Sequence, residues 1–113
     1  MNDPVQEFQA FREKMNQKIL SKGDLETKRF FALDKNAYKE GALCKKTKEL
    51  IGLTASLVLR CDDCIKYHLI TSVDLGISDK ELFEAFQIAL VVGGSIVIPY
   101  VRRAVDFLEK LRA

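Results

Sequence analysis

The chain has no tryptophan, only two prolines and a single histidine in 113 residues, and its basic side chains barely outnumber its acidic ones, 18 against 16. Each scarcity excludes something. A formal charge of +2 leaves no field suited to nucleic acid. The densest basic stretch, Cys44-Lys45-Lys46-Thr47-Lys48, reads as a solvated helix start. There is no uninterrupted apolar run of the roughly 20 residues a membrane helix needs. The most apolar segment, Ala85 to Val101, is broken by Gln87, Gly93-Gly94 and Pro99, which makes it core or subunit interface. The opening Met1-Asn2-Asp3-Pro4-Val5-Gln6-Glu7-Phe8 carries acidic residues and no apolar stretch, so neither a secretory signal nor a membrane anchor is expected and the chain reads as cytoplasmic. Three cysteines are too few for a disulfide framework, and a close pair in a reducing compartment is more often catalytic or metal-binding. At 48% hydrophobic and 30% charged, the composition is that of a folded protein and argues against extensive disorder. The length predicts one domain, residues 1–113.

What is present is helical periodicity. No alternating β-branched stretch is long enough to demand a strand, so the class is all-α. A first helix is predicted from about Pro4 to Ser21, with Val5, Phe8, Phe11, Met15 and Ile19 on one side. Asp24 caps a second, carrying Leu25, Phe30, Phe31 and Leu33, which Gly41 ends. The Phe8, Phe11, Phe30 and Phe31 set reads as core or interface. A third helix spans Lys45 to Leu59, and a fourth starts at the cysteine pair and stops at Gly76. Ser78 and Glu81 form a capping box for a fifth, closed by Gly93-Gly94. A sixth covers Ile96 to Leu111 and is entered late, or kinked, at Pro99.

Chemistry concentrates in Cys61-Asp62-Asp63-Cys64-Ile65-Lys66-Tyr67-His68, which holds two of the three cysteines and the only histidine. On a regular helix, at about 100° per residue, Cys61, Cys64 and His68 share one edge. A cysteine at a helix N-terminus lies over unpaired N–H groups and the positive end of the dipole, which favour thiolate, and Cys64 should gain most. Asp62 and Asp63 oppose this, because a nearby carboxylate raises a thiol pKa. Lys66 and Tyr67 fall on other faces, lining an entrance or facing solvent. Cys44, apart from the pair, reads as a small buried residue rather than a reactive thiol.

Adding Glu49 gives the pattern Glu-x11-Cys-x2-Cys-x3-His in a small helical chain ending in Gly93-Gly94 and an amphipathic helix. This resembles the alkyl hydroperoxidase D-like branch of the carboxymuconolactone decarboxylase family, from roughly Leu43 to Leu111 and most strongly from Lys48 through Gly76. The resemblance implies an antiparallel bundle of about six helices that assembles into trimers or hexamers and needs no cofactor. Cys64 then matches the peroxide-attacking cysteine, Cys61 the partner that closes a disulfide, and Glu49 with His68 a proton relay. The implied substrate is a hydroperoxide or disulfide, with an external dithiol or protein thiol as reductant. One position departs: members with well-defined hydroperoxidase activity have a second histidine just before the second cysteine, where this chain has Asp63. An anion in place of a potential cation lowers the thiolate fraction.

The main rival is a zinc module using Cys61, Cys64, His68 and Glu49, four ligands of types zinc accepts. Structural zinc sites usually draw ligands from separate knuckles and not from one helix edge, so redox chemistry is preferred. Lactone decarboxylation is a weaker third reading, since the family's decarboxylases lack the thiol pair.

Overall fold

The structure, a computed structural model, describes residues 3–113, so Met1 and Asn2 of the N-terminal reading lie outside the described residues. Six α-helices follow in order: α1 Pro4–Lys22, α2 Leu25–Ala37, α3 Lys45–Leu59, α4 Asp62–Asp74, α5 Asp79–Gly93 and α6 Ile98–Arg112, with a single 3-10 turn, Ser95–Val97, before the last. No strand occurs among the described residues, and the class is all-α as predicted. No helix among them is long and apolar enough to cross a membrane. The helices fall into two compact units that part after Lys39.

The first unit holds α1 and α2. Asp3 accepts a hydrogen bond from the Val5 N–H at 2.9 Å and Pro4 opens the first turn, where its missing N–H costs nothing. Asp24 caps α2 by accepting from the Thr27 N–H at 3.2 Å. Neither helix contains a buried residue. Phe11 and Phe30 are 66% and 67% exposed, so the core reading of the phenylalanine set is not met within this unit. Two helices can cover only the strip between them, which is too little for four phenylalanines. The predicted extension of α2 to Gly41 also fails. The helix stops at Ala37, after the weak helix former Asn36, and the Lys39 N–H turns back to the Asn36 carbonyl at 3.2 Å.

The second unit, Glu40 to Ala113, contains the core. α3 supplies Leu53 and Leu57, α4 Ile65 and Leu69, α5 Leu82, Phe86 and Ala89, and α6 Ala104, Phe107 and Leu108, all buried. Their spacings of three and four residues put each set on one face of its helix. Burying such a side chain stabilises by roughly 1.5–3 kcal/mol, and Leu57→Ala at 0% exposure would cost about 2–5 kcal/mol.

Two turns decide where the chemistry falls. At the end of α3, Arg60 takes the left-handed conformation, φ 60° and ψ 47°, and the Cys61 N–H reaches the Ser56 carbonyl at 3.1 Å. This is a Schellman-type closure, and it leaves two residues, Arg60 and Cys61, between α3 and α4. At the end of α5, a Cβ on Gly93 would come within 2.5 Å of the Val97 side chain, and Gly94 has φ +83°. Only glycine fits this corner comfortably, which seats Val97 in the core before Pro99 enters the first turn of α6. The capping box at Ser78 and Glu81 forms as predicted, with bonds of 2.9 and 3.2 Å.

Candidate active site

Cys61 is the N-cap of α4 and not part of it, with φ −106° and ψ 99°. The helical-edge argument therefore fails for Cys61: the Schellman closure holds it in extended backbone, where the 100° step does not apply. Its sulfur still faces the helix start, accepting from the Cys64 N–H at 3.3 Å. Cys61 and Cys64 are joined as a disulfide, with Cα atoms 5.3 Å apart. Cys64, third residue of α4, is exposed and Cys61 is half-buried. Both sulfurs thus stand at the positive end of the α4 dipole.

One turn further along α4, His68 is 7% exposed, and its Nδ1 lies 2.8 Å from Oε1 of Glu49, which projects from α3 and is 1% exposed. An ionised carboxylate can only accept, so with Glu49 charged the proton on this bond belongs to Nδ1 and the tautomer is fixed. Losing one partner of a buried pair of this kind costs about 3–5 kcal/mol. Glu49 reaches burial because it follows the exposed Lys45 and Lys46 by one helical turn and shares its face with Leu53 and Leu57.

The neighbours of His68 are partly covered. Tyr67 is half-buried and meets the His68 ring edge-on, centroids 5.3 Å apart. Lys66 is also half-buried, its ammonium 5.6 Å from the Phe107 ring centroid. For Lys66 the cover comes from α6, which carries Phe107. Arg103 of α6 donates from Nε to Asp62 Oδ1 at 3.1 Å, and its guanidinium lies 4.6 Å from the Tyr100 ring. This contact, 41 residues apart in sequence, was not anticipated. The acidic dipeptide between the cysteines and the Arg102-Arg103 pair were the available signal.

Cys44 is exposed, which corrects its reading as a buried residue. It is the N-cap of α3, in extended backbone outside the helix, and so cannot turn inward with the α3 face. Its sulfur is 3.2 Å from the Thr47 hydroxyl, and hydrogen bonding from the Thr47 side chain and N–H holds the thiol below its ordinary range. No three His, Cys, Asp or Glu side chains converge as metal ligands among the described residues. A large apolar groove, about 870 Å³, runs between α3 and α5 past Ile51, Val58, Ile88 and Val92. Neither cysteine of the pair, nor His68 or Glu49, lines it, so size alone does not locate the chemistry here.

The sequence profile of the carboxymuconolactone decarboxylase family matches residues 26–107. Among curated proteins, "Uncharacterized protein 4 in cox locus" of Paracoccus denitrificans is 28% identical over 82 residues, 73% of this chain and 74% of that protein. The crystal structure of TM1620 from Thermotoga maritima is similar at 63% identity and TM-score 0.93, covering 95% of this chain and 94% of that one. A second structure of TM1620, TM-score 0.90 at 62% identity over 94% of this chain and 90% of that one, is described as a protein of this family with a suggested part in an antioxidative response. Apo-lpg0406 from Legionella pneumophila, of the same family, is 29% identical with TM-score 0.87 over 96% of this chain and 97% of that one.

Proposed function

Because this chain belongs to the carboxymuconolactone decarboxylase family, we propose that it is a thiol-dependent oxidoreductase of the alkyl hydroperoxidase D-like kind, reducing a hydroperoxide through Cys61 and Cys64. The observation that carries the reading is the buried Glu49–His68 hydrogen bond one turn along α4 from the bonded cysteine pair at its start. The antioxidative role suggested for TM1620 points the same way.

In the reduced protein, the Cys64 proton passes to His68, whose imidazolium Glu49 stabilises, leaving a thiolate over the α4 N-terminus. The thiolate attacks the terminal peroxide oxygen. An S–O bond forms, the O–O bond breaks, and the departing alkoxide takes the proton back from His68, giving an alcohol and a Cys64 sulfenic acid. The Cys61 sulfur then attacks the Cys64 sulfur, forming the disulfide and releasing water. An external dithiol or protein thiol donor supplies two electrons and two protons to restore both thiols, becoming a disulfide itself. The exposure of Cys64 suits this last step, which needs an approaching thiolate.

Residues 1–113 act as one domain in this proposal, and the protein works as a trimer or hexamer. The exposed Ile88, Val91, Val92 and Ile96 of the segment after Ala85 are the apolar surface such an assembly would cover. The test is to add one equivalent of an organic hydroperoxide to the fully reduced protein, count free thiols and locate any bond by peptide mass. Loss of two thiols into a Cys61–Cys64 bond supports the proposal; three surviving thiols would remove it.

A further inference from the structure

The two aspartates between the cysteines are not equivalent. Asp62 is held by Arg103 across α4 and α6, while Asp63 is exposed and has no ion-pair partner among the described residues. From this asymmetry we infer that Arg103 is a positioning residue of the redox pair: by holding and neutralising the Asp62 carboxylate it keeps one of two adjacent anions from opposing the cysteine thiolate. The inference rests on the proposed thiol chemistry of Cys61 and Cys64.

Asp62 directly follows Cys61 and lies two residues before Cys64. A carboxylate so close to a thiol disfavours thiolate, and a cation bonded to that carboxylate cancels most of the effect. Arg103 is suited to the task in two ways. Its donor is aimed at Asp62 Oδ1 at 3.1 Å, and its guanidinium plane is backed by the Tyr100 ring, which limits the rotamers it can adopt. Both anchors lie in the first two turns of α6, whose entry is fixed by the Gly93-Gly94 corner and Pro99.

Other charges belong to the same neighbourhood. α4 itself carries Asp63, Lys66 and His68, α3 carries Glu49, Arg60 lies in the turn after α3, and α6 adds Arg102 and Asp106. Glu49 is engaged with His68 and Asp106 with Lys110, while Lys66 lies over Phe107. Arg103 is the side chain of another element seen bonded to a carboxylate between the cysteines.

The pair is half exposed, 53% for Arg103 and 41% for Asp62, so the effect belongs to the range of surface ion pairs. The test uses the full-length chain in a Cys44→Ser background, so that only the pair titrates. Thiolate is followed by absorbance near 240 nm, and the dithiol–disulfide equilibrium is measured against glutathione. Arg103→Gln is expected to lower the thiolate fraction near neutral pH about two- to fivefold and to shift the glutathione equilibrium towards the protein disulfide. Asp62→Asn should raise the thiolate fraction by a similar factor, and the double variant should return near the parent. Arg103→Lys, which keeps the charge, should retain most of the parent behaviour. Both shifts should shrink in about 1 M salt, where the screening length is roughly 3 Å.

A merely structural clamp between α4 and α6 gives a different pattern, since Arg103→Gln and Asp62→Asn break the same bond and would move the titration in the same direction. That result, or no shift in Arg103→Gln, overturns the inference. Failure of the peroxidase proposal reads differently: a reduced protein inert to hydroperoxide whose two variants still shift oppositely loses the proposed reaction and keeps the Arg103 role.

Discussion

Two helices of this protein are capped by a cysteine. Cys44 caps α3 and Cys61 caps α4, each in extended backbone and each with its sulfur turned to the residue three positions on. At α3 that residue is Thr47, whose hydroxyl lies 3.2 Å from the sulfur; at α4 it is Cys64, whose N–H donates at 3.3 Å. The helix terminus offers the same positive end to both sulfurs. What differs lies behind them. Seven residues after Cys61 comes His68, buried and bonded to Glu49, whereas seven residues after Cys44 comes Ile51, which is 54% exposed. At α3, hydrogen bonding from the Thr47 side chain and then its N–H lowers the Cys44 pKa without any such group behind it. Closing a disulfide after peroxide attack would also need a second sulfur within bonding reach, and fast attack a group that takes and returns the proton.

The largest expected effect comes from removing one sulfur from each start in turn. Cys64→Ser should abolish hydroperoxide-dependent loss of paired thiols, while Cys44→Ser should leave it unchanged, both measured by thiol count after one equivalent of peroxide. Equal losses would erase the distinction. Next come His68→Ala and Glu49→Gln, each expected to slow thiol-dependent turnover by roughly 10²- to 10⁴-fold. His68→Ala should also lower folding stability by about 3–5 kcal/mol, because it strands the Glu49 carboxylate in the core. Glu49→Gln keeps the shape and removes the charge, so its stability cost should be smaller, as urea unfolding would report. Unchanged rates in both would make the pair purely structural.

Thr47→Cys tests the comparison from the other side. It writes Cys-x-x-Cys at the start of α3, and the new pair is expected to close a disulfide under mild oxidants. Its reaction with hydroperoxide should remain that of an ordinary exposed thiol, since Ile51 cannot exchange a proton. A rate matching the α4 pair would show that spacing alone suffices. The smallest effect is expected from Thr47→Val. Hydrogen bonding from the Thr47 side chain is the first cause of the depressed Cys44 pKa. Without the hydroxyl, alkylation of Cys44 should reach its plateau at higher pH, with no change at Cys61 or Cys64. An unmoved profile would transfer the effect to the Thr47 N–H.

The helix order was legible because capping residues and periodicity agree along most of the chain: Asp24 and Ser78 start helices where their side chains can accept, Pro4 opens one, and Gly93-Gly94 stops one. The candidate site was legible through spacing, since a buried glutamate cannot be told from a solvated one by residue type. Periodicity failed where backbone leaves the helix. Cys61 and Cys44 both sit in extended caps, so wheel angles said nothing about where their sulfurs point. It also failed for contacts between distant helices: Arg103 meets Asp62 only because the corner at Gly93 and Gly94 returns α6 to α4. The exposed phenylalanines of α1 and α2 follow from the same limit, as an apolar stripe announces the need for cover and not its source.

The hydrogen bond between Glu49 and His68 joins residues 19 apart on two helices and is buried. It can exist only after α3 and α4 have docked, whereas Cys61 and Cys64, three residues apart, can meet in almost any conformation. An unfolded chain therefore keeps the capacity to form the disulfide and, under the proposed mechanism, loses the means to form it quickly from peroxide. The rate at which the reduced pair consumes hydroperoxide should thus count correctly assembled molecules in a sample, a chemical assay of nativeness.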